Sequence, residues 1–214
     1  SSPTTPASIG PGEFFPVVGV GPHEKPWPEG EQYDPELLLN GDRRNVLDHY
    51  RYWTVEAIVK DLNTKRHKLQ IAIENWQHDL NIGSIVRTAN AFNVSGVHIV
   101  GKRDWNKRGA MVTDRYLTVM HHPTIQDFAA YCKEQNLPII GIDNVPGSKQ
   151  LEPAVLPESC VLLFGQEGAG MSDEGIAVCE VLYEINQYGS TRSMNASAAG
   201  AIAMYHWALQ HLPK

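Results

Sequence analysis

Cysteine is scarce: Cys132, Cys160 and Cys179 are the only three, widely spaced and without a C-x-x-C pair. That excludes a disulfide framework and reads as reduced, mostly buried thiols in a cytoplasmic protein. A chain of 214 residues also buries enough core to need no covalent staple. The nine histidines follow neither H-x-x-x-H nor mixed Cys/His ligand spacing, so no metal site is expected. No apolar run approaches the ~20 residues of a membrane span. Ser1–Gly12 shows no basic stretch followed by an apolar core, so neither membrane contact nor a signal peptide is expected. Positive charge is in deficit too: the formal net charge is −6, which weighs against a phosphate-rich partner. The deficit is uneven, however. Acids dominate the N-terminal arm, while bases cluster at Lys60, Lys65, Arg66 and Lys68 and again at Lys102, Arg103, Lys107, Arg108 and Arg115. Screening confines surface electrostatics to about 10 Å, so a basic face can act on an acidic molecule.

Residues 1–35 hold eight of the fourteen prolines and read as an irregular Pro/Gly-rich arm. Residues 36–68 read as a helical extension. Its apolar stripes at Leu47, Tyr50, Trp53 and Ala57, and at Tyr52, Val55, Val59 and Leu62, predict a helix over 42–62 buried on two faces. From 69 to 214 short apolar runs alternate with amphipathic stretches. Strands are predicted at 69–73, 97–101, 137–142, 161–165 and 181–185, and helices at 82–92, 124–135, 172–179 and 195–212. Such alternation with continuously apolar strands predicts an α/β domain, a mostly parallel sheet with helices on both faces. In such sheets ligands sit beyond the carboxyl ends of the strands. That rule selects the loops 74–81, 101–108, 143–149, 165–171 and 186–195.

Three of these segments carry chemistry. In the first, Ile82, Ile85, Val86, Ala89 and Phe92 form a buried helical stripe, with Asn81 at the helix start and Arg87 off the stripe. Taken locally, Asn81 is a helix cap and Arg87 a surface arginine. The second, Gly165-Gln-Glu-Gly-Ala-Gly-Met171, is glycine-rich but ordered G-x-x-G-x-G. The dinucleotide fingerprint and the P-loop both fail there. Its Glu167 suits either a substrate hydroxyl or the dipole of the short helix that follows. In the third, the polar loop from Ile185 leads through Ser193 and Asn195, both candidate N-caps, into a helix opening with small residues. Ala198, Ile202, Tyr205, Leu209 and Leu212 line one face of it, as core or as a subunit interface.

Together these segments resemble the three motifs of the SpoU/TrmH family of RNA ribose 2′-O-methyltransferases, in the SPOUT superfamily. The N-x-G-x-x-x-R-x-A motif is similar to Asn81–Ala89, and G-x-E-x-x-G-(L/M) to Gly165–Met171. The I-P-M-x-G-x-x-x-S-L-N-x-S-x-A motif is similar to Ile185–Ala199. Asn186 and Gln187 stand where Pro and Met are usual, and Met194 where Leu is usual. The resemblance covers 69–212 and implies a C-terminal trefoil knot, which pattern reading alone excludes. It implies a homodimer and tRNA or rRNA as partner. It also implies S-adenosyl-L-methionine as cofactor, held by Gly165, Gly170, Ile185 and Met194, with Asp143 and Asn144. Catalytic roles fall on Asn81, Arg87, Glu167, Ser193 and Asn195. A guanidinium stays protonated, so Arg87 suits stabilising the 2′-oxygen and an adjacent phosphate better than acting as a base. A base methyltransferase of the same fold, or a non-catalytic RNA- or protein-binding module, are the alternatives.

Overall fold

A computed structural model describes residues 18–77 and 79–214; positions 1–17 of the expected arm and His78 lie outside the described residues. The chain divides into two compact units, Ser1–Ile58 and Val59–Lys214.

In the first unit, helix α1 (Pro35–Asn40) opens with Asp34, whose carboxylate accepts the Glu36 N–H, and a proline in the first turn. The expected helix over 42–62 forms only from Val55, as α2 (Val55–Asn63). The cause is Asp42, a fully buried carboxylate that collects Arg44 Nε (2.9 Å), Arg44 Nη2 (2.8 Å) and the N–H of Tyr52 (2.9 Å). Tyr52 is left-handed at φ 67°, which no α-helix can accommodate. Burial alone would raise the Asp42 pKa; the hydrogen bonds from Arg44 and Tyr52 outweigh it and hold the carboxyl at about 2.

The second unit is a seven-stranded sheet whose neighbouring strands all pair in parallel. Its strands are β1 (His67–Asn75), β2 (Val94–Gly101), β3 (Val119–His122), β4 (Ile139–Ile142), β5 (Lys149–Gln150), β6 (Cys160–Phe164) and β7 (Val181–Glu184), in the order β3-β2-β1-β6-β4-β7-β5. Its helices are α3 (Asn81–Ala91), α4 (Ile125–Glu134), α5 (Asp173–Val178) and α6 (Ala196–His211). Leu69, Ile71 and Ile73 of β1 face a core built with α3 and α6, from Ile82, Ile85, Ala89, Met204 and Trp207. Alternate residues face the other core: Ala72, Val100, Val161 and Leu163 meet Phe128 and Cys132 of α4, with Ile176 of α5 against them. Both sheet faces are thus covered, as a parallel sheet requires. The buried face of α6 is not the stripe expected as core or as a subunit interface. Gly200, Ala203, Met204, Trp207 and Ala208 are buried, while Ile202, Tyr205 and Leu209 are 43%, 57% and 51% exposed.

Topology sets where a ligand fits. After β1 the chain turns through α3 toward β2 and β3. It then crosses to β4, and after β6 it turns through α5 toward β7. The connections leaving β1 and β6 therefore part in opposite directions, and a crevice opens beyond their carboxyl ends.

One polar ladder crosses the second core. His98 Nε2 bonds Gln70 Oε1 at 2.6 Å, and His98 Nδ1 bonds His122 Nε2 at 2.9 Å, beside Phe128 and Tyr131. The amide oxygen only accepts, so Nε2 carries the His98 proton and Nδ1 accepts from His122. Burial, helped by the neighbouring His122, depresses the His98 pKa from 6.5 to about 3. Below pH 6.5 the unfolded chain therefore binds a proton that the folded chain refuses, and stability should fall as pH drops toward 3. Urea unfolding across that window should show a shallower pH slope for His98→Gln than for the unaltered chain; equal slopes would contradict this assignment.

Candidate active site

The crevice is closed by hydrogen bonds between residues far apart in sequence. Asn81, the first residue of α3, donates from Nδ2 to Glu167 Oε2 (3.1 Å) and to Asp79 Oδ1 (3.0 Å). Its Oδ1 accepts from Asn195 Nδ2 at 3.0 Å. Asn195 is the N-cap of α6: its Oδ1 accepts the N–H groups of Ser197 (3.0 Å) and Ala198 (3.2 Å) and the Ser197 hydroxyl. Every polar atom of the two amides is thereby assigned. Glu167 Oε2 also accepts the Ala196 N–H at 3.1 Å, at the first residue of α6. The carboxylate thus meets the positive end of α6, not that of α5, which is capped by Ser172. Asp79 completes the arrangement, its Oδ1 taking the Asn81 N–H (2.8 Å) and its Oδ2 the Glu167 N–H (2.9 Å).

A second tier holds these loops together. Gln166 Oε1 accepts the N–H groups of Trp76 (2.7 Å) and Gln77 (2.6 Å) across the β1–β6 boundary. Glu74, wholly buried, accepts from Trp76 Nε1 (2.6 Å) and from the Ser172 N–H (3.0 Å). Asp143 Oδ2, at the end of β4, takes the Met171 N–H at 2.8 Å. The Gly165–Met171 turn folds back so tightly that a Cβ on Gly165 would overlap Met171 N, and Gly168 and Gly170 are left-handed at φ 80° and 69°. Side chains larger than hydrogen are thus excluded at Gly165 by contact and disfavoured at the other two by backbone conformation.

Beside this network lies a cavity of about 210 Å³ at the carboxyl ends of β4, β6 and β7. Gly165, Gly170, Ile185, Met194, Asp143, Asn144 and Ser193 all line it, as does the departure residue Gln187. Asn144 Nδ2 donates to Arg192 O at 3.1 Å, tying the β4 loop to the β7 loop. Asn186 also gains a function: its N–H donates to Glu152 Oε1 at 3.0 Å, a bond a proline could not make.

Arg87 stands apart. It lies six residues after Asn81 on α3, about a third of a turn around the helix from it. It is exposed and makes no hydrogen bond or ion pair among the described residues. Asp79, Glu74 and Gln166 were missed from sequence. Asp79 offers a signal, as an Asx residue two positions before a helix start; Gln166 and Glu74 join loops about ninety to a hundred residues apart, which no local pattern shows. The three thiols play no part: burial pushes Cys132, Cys160 and Cys179 each up to about 12. Among the described residues no cluster of His, Cys, Asp or Glu could hold a metal ion, and no helix is long and apolar enough to cross a membrane.

Residues 68–205 match the model of the SpoU rRNA Methylase family. The tRNA (guanosine(18)-2′-O)-methyltransferase of Escherichia coli strain K12 is 29% identical over 154 residues, covering 69% of this chain and 66% of that one. The enzyme of the same name from Borreliella burgdorferi is 26% identical over 151 residues, 69% of each chain. Among solved structures, the TrmH/SpoU tRNA modifying enzyme of A. aeolicus aligns with a TM-score of 0.63 at 23% identity, over 73% of this chain and 83% of that one. The SpoU methyltransferase AviRb from Streptomyces viridochromogenes, in complex with AdoMet, aligns at 0.61 and 22%, over 68% and 61%. At such identities the structural likeness speaks for the fold. The family match runs from β1 into α6 and takes in all three loops of the crevice, and the chain belongs to the SpoU rRNA Methylase family.

Proposed function

We propose that this chain transfers the methyl group of S-adenosyl-L-methionine to a ribose 2′-hydroxyl of tRNA or rRNA. The observation that carries the reading is the Asn81–Glu167–Asn195 network, set at the topological switch point and bordered by the lined cavity. Relatives named as tRNA 2′-O-methyltransferases support the substrate class, and a relative solved with AdoMet supports the cofactor.

The cavity fits that cofactor chemically. Ile142, Phe164, Ile185 and Met194 offer apolar surface to a flat base, the glycine turn lets backbone approach closely, and Asp143, Glu167 and Glu184 suit a cationic ligand. When bound, it supplies a methyl group already activated on a sulfonium. The protein must then align the hydroxyl and manage its proton. Glu167 Oε2 is engaged by Asn81 and Ala196, while no described residue bonds its Oε1, which is left to accept from the ribose. Ser193 orients the ligand from the cavity wall. Arg87, whose side chain has no hydrogen-bond or ion-pair partner among the described residues, takes the substrate phosphate and stabilises charge developing on the 2′-oxygen. Its long side chain leans back toward the helix N-terminus, shortening the ~9 Å rise that separates it from Asn81.

The same reading includes a homodimer, with Ile202, Tyr205 and Leu209 of α6 as the contact face. It includes a cytoplasmic setting and a knotted C-terminus. Supporting the knot, α6 is fastened to the segment before β6: Gln210 Nε2 donates to Ala154 O (2.7 Å) and Trp207 Nε1 to Pro157 O (3.1 Å).

Arg87→Ala should lower methyl transfer to RNA about a hundredfold or more while leaving cofactor affinity by calorimetry unchanged. Full turnover by the variant would remove Arg87 from the mechanism, and no cofactor binding by the unaltered chain would remove the reading. Tyr205→Glu should convert a dimer to a monomer in sedimentation equilibrium; an unaltered chain that sediments as a monomer contradicts the dimer.

A further inference from the structure

The same edge of the sheet carries a second cavity, of about 490 Å³, that the methyl-transfer crevice does not use. Its floor is the edge strand, at Val119 and His121. Its wall is the connection from β2 to β3, with Arg103, Trp105, Lys107 and Asp114. Two contacts fix that wall to the elements that build the active site. Asn75 Nδ2, at the end of β1, donates to the carbonyls of Lys102 and Asp104, 2.9 Å each. Gly83, one turn into α3, lets the connection press against the helix, since a Cβ there would stand 2.7 Å from Ala110 N. Strands lie about 4.8 Å apart, so two and a half strand spacings, about 12 Å, separate the β3 floor of this cavity from the crevice between β1 and β6.

The chemistry of the lining is specific. Trp105 is half-buried, with Lys107 Nζ 5.4 Å from its ring centroid. His121 bonds Gly101 O through Nε2 at 2.6 Å, which places the proton on Nε2 and leaves Nδ1 an acceptor in the neutral ring. Asp114 adds a carboxylate, 3.9 Å from Lys107 Nζ and only loosely paired with it. Of the cations in the lining, Arg103 and Lys107 are exposed, as is Asp104 beside them, and the same connection carries the exposed Lys102, Arg108 and Arg115. A fitting ligand therefore has a flat ring to stack on the indole, N–H groups for the two acceptors, and negative charge for the rim. A simple anion uses only the last of these, and an apolar ligand only the first.

We propose that this cavity is a nucleotide subsite, which receives an unpaired base of the RNA close to the ribose that is methylated. The inference rests on reading the chain as an RNA methyltransferase. The base stacks on Trp105, Lys107 swings from the ring to the flanking phosphate, and the basic rim holds the backbone. This gives a net-acidic chain a local route to RNA.

The test uses the full chain and compares Trp105→Ala, Trp105→Phe and the exposed double variant Arg103→Ala/Lys107→Ala with the unaltered protein. Labelled total tRNA and fragmented rRNA are titrated at two salt concentrations, with S-adenosyl-L-methionine affinity measured in parallel. Trp105→Ala should weaken RNA binding about tenfold, and Phe should recover most of the loss. The double variant should weaken binding and lower the salt slope by about two. Cofactor affinity should not change; if Trp105→Ala loses it through misfolding, the double variant decides. RNA binding indifferent to both positions overturns the subsite, and if methyl transfer persists in the unaltered chain the proposed function survives. RNA binding that depends on Trp105 without any methyl transfer does the reverse. No RNA bound by the unaltered chain overturns both.

Discussion

The Glu167 carboxylate is the point on which this structure turns. Through one oxygen it joins the side chain of Asn81 at the start of α3 to the backbone at the start of α6, and its own N–H is held by Asp79. Asn195 closes the ring by spending its oxygen on the α6 cap and its nitrogen on Asn81. Three loops that are remote in sequence are thereby held at one place. An Asn or Glu in such a loop would otherwise be an ordinary solvated side chain, free to sample many rotamers at little cost. Here each is fixed by at least one partner on another segment, which is the preorganisation that charge-stabilising chemistry requires.

Support for that ring comes from buried and half-buried polar groups along the carboxyl edge of the sheet. Glu74, Gln166 and Asp143 each bind backbone N–H groups of a neighbouring loop, so the desolvation each suffers is offset by hydrogen bonds. Their role is to set the loops from which the reacting side chains project. The Asn186–Glu152 bond belongs to the same class, and it replaces the rigidity of a proline with a hydrogen bond specific to this chain.

Much of this was legible in the sequence, for physical reasons that differ by element. β1, β2, β4 and β6 announce themselves as apolar runs because they are buried on both faces, and β7, only partly buried, by its Val-Leu-Tyr run. β3 does not, since as an edge strand it mixes Val and Met with two histidines that serve other contacts. The ends of α3 and α6 are legible to within a residue, whereas Ile202, Tyr205 and Leu209, in the α6 stripe expected as core or as a subunit interface, are exposed. A helix built almost wholly of Ala, Ile, Met, Tyr, Trp and Leu is apolar around its circumference, so periodicity cannot choose a side. The helix expected over 42–62 failed where Asp42 gathers Arg44 and Tyr52, a tertiary arrangement that overrides local pattern. Asn81, Glu167 and Asn195 were named from motifs, yet only the structure brings them into one hydrogen-bonded ring. It leaves Arg87 outside that ring and exposed.

An acidic protein can act on RNA if its cations are gathered where the backbone passes, and the β2–β3 connection gathers them at the same sheet edge as the crevice. Whether the crevice works on ribose is settled by the product. The full chain should be incubated with labelled S-adenosyl-L-methionine and total tRNA and rRNA, and the RNA digested to nucleosides for mass analysis. Label confined to 2′-O-methylated nucleosides is the expected result; label on a base, or none in any RNA, would contradict it.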